Sequence, residues 1–432
     1  MNKACPRETR SVGRNSDGPP SDAGWIRSGD PAGRGRRSVD AAEFMEGRAA
    51  KCMTPFVAPA WNVEAAIGNL AGAFRLPGEE QDALKVALIR ENFAFHHRAN
   101  PRFRRRCELA RVAPEDLLRA EDLRRVPLIP VRAFKEPGAG LLLSVPLDAI
   151  DLEMQSTGTG GIPSVARRDA ATTTRVCLAL MALYREFFGI AHGAGLFLCP
   201  SPAEVPEMGM VKVFNLFTGL LDDRAYLVRD FAFAPEEAVA YLRQWEGRQT
   251  RHLFGPPFMI ARLVRYLEQT GLRLRLDADS FAITLGGWKR FDHERIRRPA
   301  FDRGLQEYLG VRPGNVRDMY GMVESNALAV ECEHRHKHLP PWCHVTVRDV
   351  EDNAAEVALG RTGVVGILDA LSLSYPAFIL SEDLGRLGTE DVCPCGRTGQ
   401  TISFVGRLPR AEPGCCAVTI DRFMAEKEAR RA

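Results

Sequence analysis

Four short segments carry residue types suited to binding a phosphorylated ligand. Ser156-Thr157-Gly158-Thr159-Gly160-Gly161-Ile162-Pro163-Ser164 places three glycines and three hydroxyls ahead of its proline. Glycine lets the backbone approach an anion closely, and the hydroxyls and amides donate to phosphate oxygens. A helix-like run, Ala170–Phe188, follows, so a helix start is expected to serve the same anion. Leu285-Gly286-Gly287-Trp288-Lys289 closes a predicted strand, where paired glycines either let a flat ring rest on the backbone or simply make a turn. Tyr320-Gly321-Met322-Val323-Glu324 offers an aromatic face for a purine and a carboxylate for Mg²⁺. In Ser381-Glu382-Asp383-Leu384-Gly385, Asp383 can accept from two ribose hydroxyls, or the segment is an ordinary turn.

These segments need a scaffold, and the pattern around them reads as α/β. Residues 57–125 read as helical, and Pro127 and Pro130 then turn Val126–Lys135 into an extended stretch. Short apolar strands at 195–199, 252–254 and 281–285 alternate with helices, including 258–269, which indicates a mostly parallel sheet with helices on its faces. From about residue 340 the texture changes to a smaller β-rich section, with strands at 345–350, 363–368 and 377–380.

The bulk numbers narrow the function classes. The chain has 432 residues, is 45% hydrophobic and carries a formal charge of +3. Residues 1–37 hold eight Lys/Arg against four acids, so the remainder is close to neutral. The folded part therefore gives no electrostatic basis for binding nucleic acid or an anionic membrane. Residues 1–55 are rich in Gly, Ser, Pro and Arg and are expected to be a disordered basic extension, with a true start at Met45 or Met53 as the alternative. No apolar run reaches the ~20 residues of a membrane span and no signal peptide is evident, so a cytoplasmic protein is expected.

In this order and spacing, the motifs resemble those of the adenylate-forming superfamily of acyl- and aryl-CoA ligases. Within it, the chain is most similar to acyl-protein synthetases of the LuxE type and to phenylacetate–CoA ligases, across roughly residues 60–420. Besides the four segments above, Ile129–Lys135, Cys393-Pro394-Cys395-Gly396-Arg397 and the hinge-like Gly406-Arg407 carry the resemblance. It departs at Ser164, where the superfamily has lysine, and at Val323, where it has threonine.

The resemblance implies an ATP- and Mg²⁺-dependent enzyme that activates a carboxylic acid, expected to be fatty, as its adenylate. The implied cofactor contacts are Ser156, Thr157, Gly158, Thr159, Gly160 and Gly161 on the phosphates, Gly286, Gly287, Tyr320 and Gly321 around adenine, and Asp383 with Arg407 at the ribose and hinge. Lys289 and Thr157 join Glu324, the Mg²⁺ ligand, as catalytic candidates. It also implies an adenylate-forming domain over 56–405 and a hinge with a short tail over 406–432, without the lid of a CoA ligase. Cys415, in Gly414-Cys415-Cys416-Ala417, is the implied acyl acceptor, delivering to a partner acyl reductase or carrier. Direct transfer to CoA and a catalytically silent nucleotide-binding subunit are the alternatives.

The chain holds eleven cysteines, six of them after residue 330. Without a secretory signal this clustering favours metal or thiol chemistry over disulfides. Cys332, His338, Cys393 and Cys395 form the preferred structural Zn²⁺ ligand set, reduced free thiols being the alternative, with His334 and His336 as solvated loop residues.

Overall fold

The computed structural model describes residues 63–135, 142–156, 163–230, 232–288 and 294–408. The expected N-terminal extension, the centre of the glycine-rich loop (157–162), Lys289 and the tail with Cys415 lie outside the described residues.

The N-terminal region is helical, as its sequence indicates: α1 (Val63–Gly68), α2 (Leu70–Ala73), α3 (Gly78–Ala99) and α4 (Pro101–Ala110). α3 carries Glu79 and Glu80 in its first turn and Arg98 in its last, the arrangement that complements the helix dipole. Asn100 then caps α4, its Oδ1 accepting from the Phe103 N–H at 2.9 Å, with Pro101 at the first helical position. The extended stretch expected over Val126–Lys135 shrinks to β1 (Ile129–Pro130), which pairs in parallel with Ile379 and Leu380. Val131–Phe134 is instead a 3₁₀ turn, because that turn brings Val131 and Phe134, three apart, into the core together.

β2 (Ile150–Gln155) and β3 (Val165–Asp169) form an antiparallel hairpin with Gln155 opposite Val165, so the glycine-rich stretch is the connection of that hairpin. This corrects the expected loop-to-helix arrangement. A five-residue strand separates the loop from α5 (Ala170–Phe188). The first turn of α5 is engaged elsewhere: Thr172 Oγ1 accepts from the Leu373 N–H at 2.9 Å and the Ser374 N–H at 3.2 Å.

The rest of the chain builds around one twelve-stranded sheet, of which β1 is an outlying member. β4 (Ala194–Phe197), α6 (Gly209–Asn215) and β5 (Asp223–Tyr226) come first, then a small ribbon of β6 (Val228–Arg229) and β7 (Ala232–Phe233). α7 (Pro235–Gln244), β8 (Arg251–Gly255), α8 (Pro257–Thr270), β9 (Ala282–Leu285), α9 (Arg298–Leu309) and β10 (Val316–Gly321) follow. Strands β5, β4, β8, β9 and β10 lie side by side in parallel. β4, β8 and β9 are buried along their whole length, as central parallel strands are, β8 burying Arg251 and His252 at its start.

At β10 the sheet changes sense. β11 (Leu328–Glu331) and β12 (Lys337–His338) continue it antiparallel, followed in space by β16 (Thr401–Arg407), β15 (Phe378–Leu387), β14 (Gly363–Asp369) and β13 (Cys343–Arg348). The section from about 340 thus supplies most of the antiparallel half. No helix among the described residues is long and apolar enough to cross a membrane.

Candidate adenylation site

The junction between the parallel and antiparallel halves opens into a cleft. β9 and β10 are parallel neighbours with Leu285 opposite Met319, so both deliver their following residues to the same rim. From β9 come Gly286 and Gly287, at φ +97° and +68°. These left-handed values suit glycine and expose backbone to the cleft. From β10 come Tyr320 and Gly321, and a Cβ on Gly321 would stand 3.1 Å from the Ala327 carbonyl oxygen. The cleft wall is completed by Ser156, Ser164 and Arg168 from the hairpin and by Asp383 and Arg407 from β15 and β16.

Asp383 is the electrostatic centre of one side. It faces Arg407 across the β15–β16 ladder, and Arg407 Nε donates to Asp383 Oδ1 at 2.9 Å. Tyr320 Oη donates to the other carboxylate oxygen at 2.8 Å. Burial, with Asp383 adding to it, raises the Tyr320 phenol well above its ordinary value, so it remains a donor. Its ring stacks on Phe404 at 5.7 Å between centroids.

Glu324 sits on the other side, 5% exposed. Burial raises its carboxyl above the ordinary value, and the hydroxyl of Ser164 pulls it back by favouring the ionised form, without a well-formed hydrogen bond between them. The backbone around Glu324 is pinned: Tyr375 Oη donates to its carbonyl oxygen at 3.0 Å, and Arg168 Nη2 donates to the Val323 carbonyl at 2.8 Å. The hairpin is closed at its base, the Ser164 N–H donating to Ser156 Oγ at 2.9 Å and the Ser156 N–H to the Ser164 carbonyl at 3.0 Å. The arrangement places an aromatic ring, two backbone-exposing glycines and two carboxylates, Asp383 and Glu324, on the lining of one cleft.

Residues 67–425 match the LuxE family of acyl-protein synthetases. The chain belongs to that family. The long-chain-fatty-acid–luciferin-component ligase of Aliivibrio fischeri is 30% identical over 343 residues, 78% of this chain and 88% of that protein. The enzyme of the same name from Vibrio harveyi is 26% identical over 81% of this chain and 91% of its own. A crystal structure of 2-hydroxyisobutyryl-CoA ligase in an open conformation, with 2-HIB-AMP and CoA, shares the fold at TM-score 0.59 and 18% identity, covering 79% of this chain and 78% of that one. The LuxE-family chain is accordingly an AMP-forming acid–thiol ligase, which activates an acid as its acyl-adenylate and transfers the acyl group.

Of the site residues expected from sequence, Ser156, Gly286, Gly287, Tyr320, Gly321, Glu324, Asp383 and Arg407 all line this one cleft. Thr157, Gly158, Thr159, Gly160, Gly161, Lys289 and Cys415 lie outside the described residues. Sequence reasoning passed over Arg168, Asn326 and Phe404. The only signal for Arg168 was a pair of arginines soon after the loop in an alternating stretch, and Phe404 gave none.

A second cluster lies in the antiparallel half of the LuxE-family fold. Cys332 follows β11, His338 lies in β12, and Cys393 and Cys395 occupy the turn between β15 and β16. Their ligand atoms all lie within 4.8 Å of one another. Cys332 Sγ and Cys393 Sγ are 3.7 Å apart, and Cys395 Sγ is 3.4 Å from His338 Nε2. Zinc–sulfur bonds of about 2.3 Å at a tetrahedral angle separate two sulfurs by about 3.8 Å, so the donor set fits a zinc ion. His338 is held neutral, its pKa lowered to about 4 by burial and then by Arg397 and His336. His334 is exposed as expected, whereas His336 is half-buried with Nδ1 3.2 Å from Cys393 Sγ.

Proposed function

We propose that this enzyme activates a long-chain fatty acid with ATP in the cleft and passes the acyl group to its own Cys415. The carrying observation is the convergence of Gly286-Gly287, Tyr320, Glu324, Asp383 and Arg407, from well-separated stretches of chain, on one cleft. In this reading Tyr320 and Gly287 frame adenine, Asp383 accepts from the ribose hydroxyls, and Ser156 with Thr157, Thr159 and the loop amides holds the phosphates. Glu324 holds Mg²⁺, which when bound offsets charge on the phosphates. A carboxylate oxygen of the acid attacks the α-phosphorus and pyrophosphate leaves. The Cys415 thiolate then attacks the acyl carbonyl carbon and AMP leaves.

The fatty substrate is supported by the names of the two relatives and by the apolar residues Val176 and Leu180 of α5 and Met210 and Val213 of α6 on the cleft lining. In this reading a partner acyl reductase receives the thioester. We assign the Cys332, His338, Cys393 and Cys395 cluster to a structural zinc that ties the β15–β16 turn to β12. Gly406-Arg407 is the hinge at which the domain over 56–405 meets the tail, and residues 1–55 are a separate basic extension.

Acid-dependent ATP–pyrophosphate exchange tests the reading. Exchange is expected with long-chain fatty acids and not with short or aryl acids. Absence of exchange across the whole panel would contradict it.

A further inference from the structure

Arg168, the penultimate residue of β3, is 2% exposed and lies on the wall of the cleft. Its guanidinium makes two good contacts. Nε donates to Asn326 Oδ1 at 2.6 Å, and Nη2 donates to the Val323 carbonyl oxygen at 2.8 Å. These two partners bracket Glu324 in sequence, so one planar fork holds the chain on both sides of that carboxylate. Nη1 is buried and has no hydrogen-bond partner among the described residues.

The charge has no carboxylate partner of its own within ion-pair distance among the described residues. The Asp369 carboxylate feels the Arg168 charge without a direct hydrogen bond to it, and Asn326 links the two, donating to Asp369 Oδ2 from its N–H at 2.8 Å and from Nδ2 at 2.9 Å. Asp369 Oδ1 is meanwhile taken by the Leu371 N–H at 2.8 Å. A buried guanidinium with a free N–H edge is costly unless an anion meets it. Arginine's rigid fork suits an oxyanion, and charge developing in a water-poor cleft gains most from a donor already in place.

We propose that Arg168 is an oxyanion-binding residue of the adenylation reaction, its Nη1 donating to an α-phosphate oxygen or to the carboxylate of the acid. It moves no proton and forms no bond. Its positive charge offsets the negative charge that builds on the non-bridging oxygens as the carboxylate attacks phosphorus. The same residue fixes Glu324, so loop strand and acidic motif act as one unit. This proposal rests on the adenylation reading above.

The test uses full-length wild type, Arg168→Lys and Arg168→Ala. The readouts are calorimetric affinity for AMP and for adenosine, the KM for a long-chain fatty acid in pyrophosphate exchange, and thermal melting. A phosphate contact predicts AMP binding weakened at least tenfold in both variants with adenosine binding unchanged. A carboxylate contact predicts unchanged AMP binding and a KM for the acid raised at least tenfold. In either case added guanidinium ion restores part of the loss in Arg168→Ala. Variants that bind AMP, adenosine and acid like wild type would overturn the proposal. So would an equal loss of AMP and adenosine binding with a lowered melting temperature and no rescue, which is the signature of a purely structural clamp. A wild type without exchange for any acid would instead count against the adenylation reading.

Discussion

Asp383 and Arg407 stand opposite each other on β15 and β16, and a 2.9 Å charge-assisted hydrogen bond joins them while Tyr320 holds the second carboxylate oxygen. One carboxylate thereby ties the aromatic face of the cleft to the last described strand. Each of its oxygens retains a lone pair for a ribose hydroxyl. Asp383→Ala is expected to raise the KM for ATP roughly 10- to 100-fold, the equivalent of ~1.5–3 kcal/mol for hydrogen bonds to a charged group. Steady-state exchange kinetics check this, and an unchanged KM would remove Asp383 from the nucleotide site.

Glu324 is a buried acid whose carboxyl is raised by desolvation, so its ionised form is unfavourable to the fold at neutral pH. Glu324→Gln removes that charge while keeping the shape. It is expected to lower pyrophosphate exchange by roughly 100- to 1000-fold and to leave the melting temperature equal to or above that of wild type. A fall in melting temperature with retained exchange would reverse the assignment.

The thiol and imidazole cluster predicts stoichiometric zinc in protein purified without chelators, measured by elemental analysis. Cys393→Ser is expected to lose the metal and to melt several degrees lower, since structural zinc contributes directly to folding free energy. Metal-free wild type with an unchanged melting curve would show that the four groups are simply reduced thiols beside a neutral histidine.

Two buried histidines and the half-buried His344, all away from that cluster, set an acid limit. Burial lowers His96 to about 3 and His252 to about 4, and drives His344 well below its ordinary value. His96 is held between Ser144 Oγ at 2.8 Å and the Ser372 carbonyl at 3.0 Å, and its complete burial disfavours the charged ring. In the unfolded chain these groups take up protons below about pH 6.5, whereas the folded chain does not. Stability is therefore fully present above that pH and is lost as pH falls towards 4, by up to about 1.4 kcal/mol per pH unit for each group. Denaturant titrations at several pH values check the slope, and His96→Gln is expected to flatten it.

Much of the site was legible from the order and spacing of its motifs rather than from any one of them. Paired glycines closing an apolar strand also make ordinary turns, and it is their order with Tyr320-Gly321, Glu324 and Asp383, matching that of the adenylate-forming ligases, that points to a site. The ligand set Cys332, His338, Cys393 and Cys395 came from Cys/His clustering together with the resemblance to phenylacetate–CoA ligases, and the fold brings those four atoms together. Strand β3 was hidden because Val165-Ala166-Arg167-Arg168 is short and half charged, and its partner β2, rather than its own pattern, makes it a strand. Arg168 was hidden for a related reason. A buried arginine looks like a solvent-exposed one until the chain that receives its donors, 155 residues later at Val323, is in place. The 3₁₀ turn at Val131–Phe134 likewise depends on core contacts that local propensity does not carry.

The most direct test of the account is acyl labelling of the whole chain with a radiolabelled long-chain fatty acid, ATP and Mg²⁺, comparing wild type with Cys415→Ser. The account predicts a hydroxylamine-sensitive labelled protein band for wild type. It predicts no band for Cys415→Ser, with pyrophosphate exchange retained. A Cys415→Ser protein that labels as strongly as wild type would contradict it, as would a wild type that forms acyl-CoA but never the labelled protein.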